Sequence, residues 1–238
     1  MKRRSIVLLL SGLSTLALAN GNFNLRVGAD IHSKVDSLGK YSSGSTEDYG
    51  YEVGLEYLRP IGEKLELGIG VAYQKHAKIS GKNQENESYH SSNAGIIEKE
   101  HFKGYHDFQG YDSVPVYLTG KYTLNKDWKF KPYLKGSIGY SFNFGNDEIT
   151  YSDNESYENE STGVDGPGKI NETYNLSTNI KHGLYYAAGI GIEYKFLSLE
   201  ALYQINTGKL SVGNNEKYDS NYERVSLVLN YKFWFIIN

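Results

Sequence analysis

Two histidines and an aspartate raise the question of catalysis. Asp30 and His32 are two residues apart in an extended stretch, which puts them on one face, and His76 falls at a similar height in a later stretch. A lipid hydrolase or acyltransferase needs a serine placed against such a pair, but Ser33 beside His32 points to the opposite face. These residues form no convincing triad, and polar rim positions are the expected role. Glu98, Glu100, His101, His106 and Asp107 form a second cluster, but five-residue spacing between histidines is a weak metal signature. No metal and no cofactor are expected, and with no cysteine the chain has neither disulfides nor thiolate chemistry.

A set of charges at alternating positions is more informative. Arg26, Lys121, Lys135, Lys195 and Lys232 are basic, and Asp30, Glu52, Glu56, Glu66, Glu193 and Glu200 are acidic. Each shares a strand face with glycines or small polar residues, as in Arg26-Val27-Gly28-Ala29-Asp30 and Glu52-Val53-Gly54-Leu55-Glu56. Isolated buried charges are costly and paired ones are tolerated, so the near balance of signs predicts a salt-bridged polar interior. A narrow or gated pore along the same residues is the second reading.

The elements that position these charges are eight stretches of period-two alternation. They run from Phe23 to Val35, Tyr49 to Arg59, Leu65 to Ile79, Tyr111 to Leu124, Phe130 to Phe144, Leu184 to Phe196, Leu197 to Asn206 and Arg224 to Asn238. Short connections at 59–64, 125–128 and 195–198 alternate with long polar ones at 36–48, 80–110, 145–182 and 207–221. That pattern predicts an all-β fold: an eight-stranded antiparallel up-and-down transmembrane β-barrel with short periplasmic turns, four long extracellular loops and both termini periplasmic. A soluble barrel alternates too, but would turn its apolar face inward around a ligand. Here the small and charged residues suit the narrow interior, since eight strands leave only enough room for side chains.

Residues 1–19 read as a secretory signal peptide: basic Met1-Lys2-Arg3-Arg4, an apolar run to Leu18, and Ala17-Leu18-Ala19 at the cleavage site. The barrel is assigned to 20–238. Removing three basic residues and no acidic one from a chain of 25 basic and 28 acidic residues leaves a charge of −6. This argues against a nucleic-acid partner. Trp128 and Trp234, with Tyr231 and Phe233, are expected at the periplasmic membrane border.

Three segments carry a resemblance. Val114-Pro115-Val116-Tyr117-Leu118-Thr119-Gly120-Lys121-Tyr122, Lys131-Pro132-Tyr133-Leu134-Lys135-Gly136-Ser137-Ile138-Gly139-Tyr140 and Ala188-Gly189-Ile190-Gly191-Ile192-Glu193-Tyr194 are similar to strands of the small outer-membrane β-barrels of the OmpA transmembrane domain, OmpX/Ail and neisserial opacity-protein type. The motifs are degenerate, and as architecture the likeness spans 20–238. The resemblance implies a non-enzymatic protein of the Gram-negative outer membrane, folded by the barrel-assembly machinery. It would sit among outer-membrane lipid and lipopolysaccharide, with loops available to a host or neighbouring-cell ligand. Some such barrels modify lipid A, which is the third reading. Two departures stand out: residues continue past Phe233 where the family commonly stops at an aromatic, and no peptidoglycan-binding domain follows, so no cell-wall tether is expected.

The third long connection holds most of the negative charge. Asp147, Glu148, Asp153, Glu155, Glu158 and Glu160, interleaved with Tyr151 and Tyr157, are the candidate contacts for a basic partner or for divalent cations. The same residues would equally keep a loop solvated.

Overall fold

The computed structural model describes residues 21–35, 44–46, 49–80, 84–91, 97–108, 110–159, 164–165, 170–212 and 216–233. Side chains are described for 21–35, 49–78, 110–145, 179–211 and 219–233. The signal-peptide expectation and Trp234 lie outside the described residues.

Among the described residues every regular element is a strand. In chain order they are β1 (Asn22–Val35), β2 (Gly44–Thr46), β3 (Tyr51–Pro60), β4 (Leu65–Lys75), β5 (Ile79–Ser80), β6 (Gln84–Ser91), β7 (Ile97–Phe108) and β8 (Asp112–Thr123). There follow β9 (Lys131–Phe144), β10 (Asn146–Asn159), β11 (Val164–Asp165), β12 (Ile170–Lys181), β13 (Gly183–Tyr194), β14 (Leu197–Val212) and β15 (Glu216–Phe233).

Eight of them close a barrel. Antiparallel pairing runs β1–β3–β4–β8–β9–β13–β14–β15 and returns to β1, where Phe23 faces Phe233 and Val27 faces Leu229. Closure leaves this ring without an open edge. The neighbouring strands are joined by short turns at one end, such as Lys195-Phe196 between Tyr194 and Leu197.

The period-two patterns divide inside from outside. Arg26, Glu52, Glu56, Lys135, Glu200 and Arg224 are buried in the lumen. Leu25, Val27, Val53, Leu55, Leu67, Val71, Val116, Leu118, Leu134, Ile138, Ile190, Ile192, Leu199, Leu227 and Leu229 face outward on all eight strands, each roughly half exposed. Glycines make room for interior tyrosines. Gly70 pairs with Tyr117 and Gly191 with Tyr133, and a Cβ at either glycine would collide with the paired ring.

Three expectations need correction. The first strand does not alternate to its end: a bulge between Asp30 and His32 shifts the register, so Asp30 is buried, His32 is exposed, and Ser33 and Val35 turn inward. Asp30 and His32 therefore do not share a face. Nor does Lys195 line the lumen. It stands exposed in the two-residue turn at φ 56°, with its ammonium 5.4 Å from the centre of the Tyr194 ring.

The third correction concerns the long connections. Much of 80–110, 145–182 and 207–221 is strand: β10 pairs with both β12 and β7, and the β14–β15 ladder continues to Val212↔Glu216. The pairings β1–β2, β2–β5, β5–β7, β7–β10, β10–β12, β12–β14, β14–β15 and β15–β1 form a second closed circuit beyond the first. Overall polarity is the wrong guide: β7 and β10 carry no continuous apolar phase, and in β12 the alternating Ile170, Tyr174, Leu176 and Ile180 are interrupted by Glu172 and Thr178. Their Thr, Tyr and Ile content is compatible with strand.

Candidate functional site

The lumen holds the densest chemistry, arranged in layers along the axis. At its centre Arg26, from β1, reaches three carboxylates on two strands: Nη1 donates to Glu56 on β3 (2.6 Å) and Glu200 on β14 (3.2 Å), and Nη2 to Glu52 on β3 (3.0 Å). Lys135, from β9, bridges Glu56 (2.7 Å) and Glu200 (2.8 Å). Hydroxyls supply further donors, Tyr117 to Glu56 and Tyr133 to Glu200, both at 2.9 Å. These side chains lie within a few per cent of full burial. Removal from water makes each charge dependent on its partners, because an unpaired ion in such surroundings is costly.

A second layer lies nearer the end where the polar segments attach. Arg224 donates to Glu52 (2.7 Å) and Asp30 (3.4 Å), and Ser226 donates to Asp30 (2.6 Å). Amides continue the network: Gln204 Nε2 donates to Glu52 (2.9 Å), and Gln74 Nε2 to Glu52 and to Gln204 Oε1, both at 3.3 Å. Nearer the short turns, Lys121 bridges Glu66 (2.9 Å) and Glu193, and Lys232 donates to Glu193 (2.8 Å).

Ten of the eleven charges chosen from sequence are thus gathered into two ion-paired clusters stacked along the lumen, and Lys195 is outside both. Charge alone was too narrow a criterion. Arg224, Gln74, Gln204, Asn206 and the tyrosines 117, 133 and 185 were missed, although position parity marks them. Arg224 shares its face with Ser226, Asn230 and Lys232, and Gln74 shares its face with Glu66, Gly68 and Gly70.

His76, just past the end of β4, is held between the rings of Tyr111 and Tyr222, each centred 4.2 Å away. Its Nε2 lies 2.8 Å from Ser113 Oγ. Ser113 gives its own proton to Gln74 Oε1 (3.1 Å), so Nε2–H of His76 is the donor and Nδ1 carries the lone pair. Among the described residues Nδ1 has no hydrogen-bond partner and no carboxylate orients the ring. Burial, then Arg224, holds the imidazole well below its ordinary pKa. A buried serine beside a histidine without an acid is a structural contact rather than a triad.

Of the border aromatics, Trp128 is exposed in the β8–β9 turn, Tyr231 faces outward against Phe196 at 5.4 Å, and Phe233 stacks on Phe23 at 5.9 Å. Asp147, Glu148, Tyr151, Asp153, Glu155, Tyr157 and Glu158 lie along the backbone of β10. Their side chains, and Glu160 altogether, fall outside what is described. Glu98, Glu100, His101, His106 and Asp107 likewise lie along β7 with their side chains undescribed. Among the described residues no three metal-ligating side chains gather.

No family model matches the chain. An uncharacterized protein of Pasteurella multocida is 26% identical over 215 residues, covering 86% of this chain and 85% of the relative. Similar solved structures include Ail of Yersinia pestis in complex with the heparin analogue sucrose octasulfate. That match is 13% identical, with a TM-score of 0.40, and covers 90% of this chain and 99% of Ail. Neisserial surface protein A is 14% identical, with a TM-score of 0.38 and coverage of 89% and 97%. OprG of Pseudomonas aeruginosa is 12% identical, with a TM-score of 0.43 and coverage of 91% and 97%. The eight-stranded barrel itself rests on the strand pairings of this chain.

Proposed function

We propose that this protein is an integral β-barrel of a Gram-negative outer membrane, with its termini periplasmic, a lumen closed by ion pairs, and no enzymatic activity. It supports the envelope and presents its polar β-hairpins to a host or neighbouring cell. The observation that carries the membrane reading is the inversion of the wall: apolar residues face outward on all eight strands while charges fill the inside. A surface of that kind is stable against hydrocarbon and a liability in water. Outer-membrane lipid and lipopolysaccharide are its surroundings in this reading, and the barrel-assembly machinery inserts it.

The filled lumen favours closure over a pore. Arg26, Arg224, Tyr133, Tyr185, Gln74, Gln204 and Glu52 are among the largest wholly buried side chains, and all point inward. Against an enzyme stand Asp30 and His32, on opposite sides of the wall, and His76, which meets no acid among the described residues.

Cell binding tests the contact role. The ladder Thr150↔Asn175 allows residues 151–174 to be replaced by a short turn without touching the barrel. Bacteria displaying the trimmed protein are expected to bind target cells less than those displaying the full chain at equal surface amount. Unchanged binding would sink the contact role of this hairpin.

A further inference from the structure

The barrel wall has a seam near the end where the polar hairpins begin. The β9–β13 ladder stops at Ser141↔Gly183, and the β10–β12 ladder starts at Asn146↔Asn179. Side chains span the interval: the Asn143 backbone N–H donates to His182 Nδ1 (3.1 Å), and Asn143 Nδ2 donates to the Lys181 carbonyl (2.9 Å). Accepting at Nδ1 leaves the proton of neutral His182 on Nε2, so the far edge of the ring is a donor. The rings of Phe142, Phe144 and Tyr140 meet this imidazole edge-on, with centroids at 5.6, 6.2 and 6.4 Å.

Two lysines stand beside it. Lys181 lies directly opposite Lys209 in the β12–β14 pairing, and their neighbours Ile180 and Leu210 are buried, so both lysines face outward. Like charges opposed across a strand pair repel unless an anion lies between them. Asp219 approaches Lys209 at 3.7 Å with both groups largely exposed, while the Lys181 ammonium meets no carboxylate among the described residues. A cavity of about 580 Å³ opens here, lined by Tyr140, Phe144, Asn179, Lys181 and His182 among others.

We propose that this seam binds the phosphorylated headgroup of an outer-leaflet lipid. Lys181, Lys209 and the Nε2–H of His182 hold the phosphate, and the acyl chains lie along Tyr140, Phe142 and the apolar wall below. The inference rests on the membrane reading above. Lipid is favoured over a soluble anion because the cations and the aromatic rings share the outward face that also carries the apolar belt. Charge-assisted hydrogen bonds to phosphate are the strong kind, and one anion relieves the repulsion between both lysines.

The test uses the full mature chain in phosphatidylcholine nanodiscs, with added bisphosphorylated lipid A or the same lipid stripped of phosphate. Native mass spectrometry reads the lipid retained. The wild type is expected to retain the phosphorylated lipid about tenfold more than K181Q/K209Q, a difference of one strong contact. H182Q is expected to fall between them, and the stripped lipid should be held equally weakly by all three. Equal retention by wild type and double variant, or equal retention of the two lipids, would overturn the site. Displacement by millimolar inorganic phosphate would overturn the lipid as its occupant. Slower gel migration after heating, required of each folded barrel, separates these failures from failure of the membrane reading, because a chain without it would not be a membrane barrel at all.

Discussion

Glu52 is the residue on which two layers of the lumen converge, since it accepts from Arg26, Arg224, Gln74 and Gln204. Replacing it by glutamine leaves two buried guanidinium groups short of their counter-charge. Glu52→Gln is expected to lower stability to urea by about 3–5 kcal/mol. Adding Arg224→Gln should cost much less than the sum of the two single changes, because the pair fails together. Additive losses would show that the network is not coupled. His76 gives a pH-dependent prediction of definite sign. Its folded-state pKa lies well below 6.5, so its contribution is fully present above that value. As pH falls below about 6.5 the unfolded chain takes up a proton that the folded one refuses, and stability declines. His76→Phe should flatten that slope, and an unchanged slope would remove His76 as its source. These residues also show what sequence can reveal at this scale. Charged interior positions were legible from parity, whereas His76 was placed only by height, because its surroundings come from Tyr111 and Tyr222 on distant strands.

At the level of elements, close pairing of glycine with tyrosine fills the narrow bore that eight strands set. A methyl group at Gly191 would run into the ring of Tyr133, whose hydroxyl donates to Glu200 at 2.9 Å. Gly191→Ala is expected to destabilise the barrel by about 1–3 kcal/mol through this overpacking, read by urea unfolding. A variant as stable as the parent would mean the ring has room to move. Strand existence was legible because water-averse and polar residues alternate along all eight walls. Two features broke the pattern for local reasons. The bulge at Asp30/His32 adds a residue that no periodicity announces, and the turn at Lys195 ends the β13 alternation one residue before its charge would have pointed inward. The polar strands β7, β10 and β12 resemble loops in sequence because their apolar phase is absent or interrupted, and their order comes from pairing through β10.

For the whole molecule, a charged, filled interior sits inside an apolar wall, and in the proposed function that wall meets lipid. The chain contains no cysteine, so a single introduced cysteine can carry a spin label without competing sites. Leu118 and Ile190 are 63% and 62% exposed on β8 and β13, two strands apart in the ring, while Val228 is wholly buried in the lumen. With the protein in a bilayer, labels at Leu118 and Ile190 should relax strongly with molecular oxygen and weakly with a water-soluble nickel chelate. Strong relaxation of both labels by the chelate would place the apolar wall in water and contradict the account.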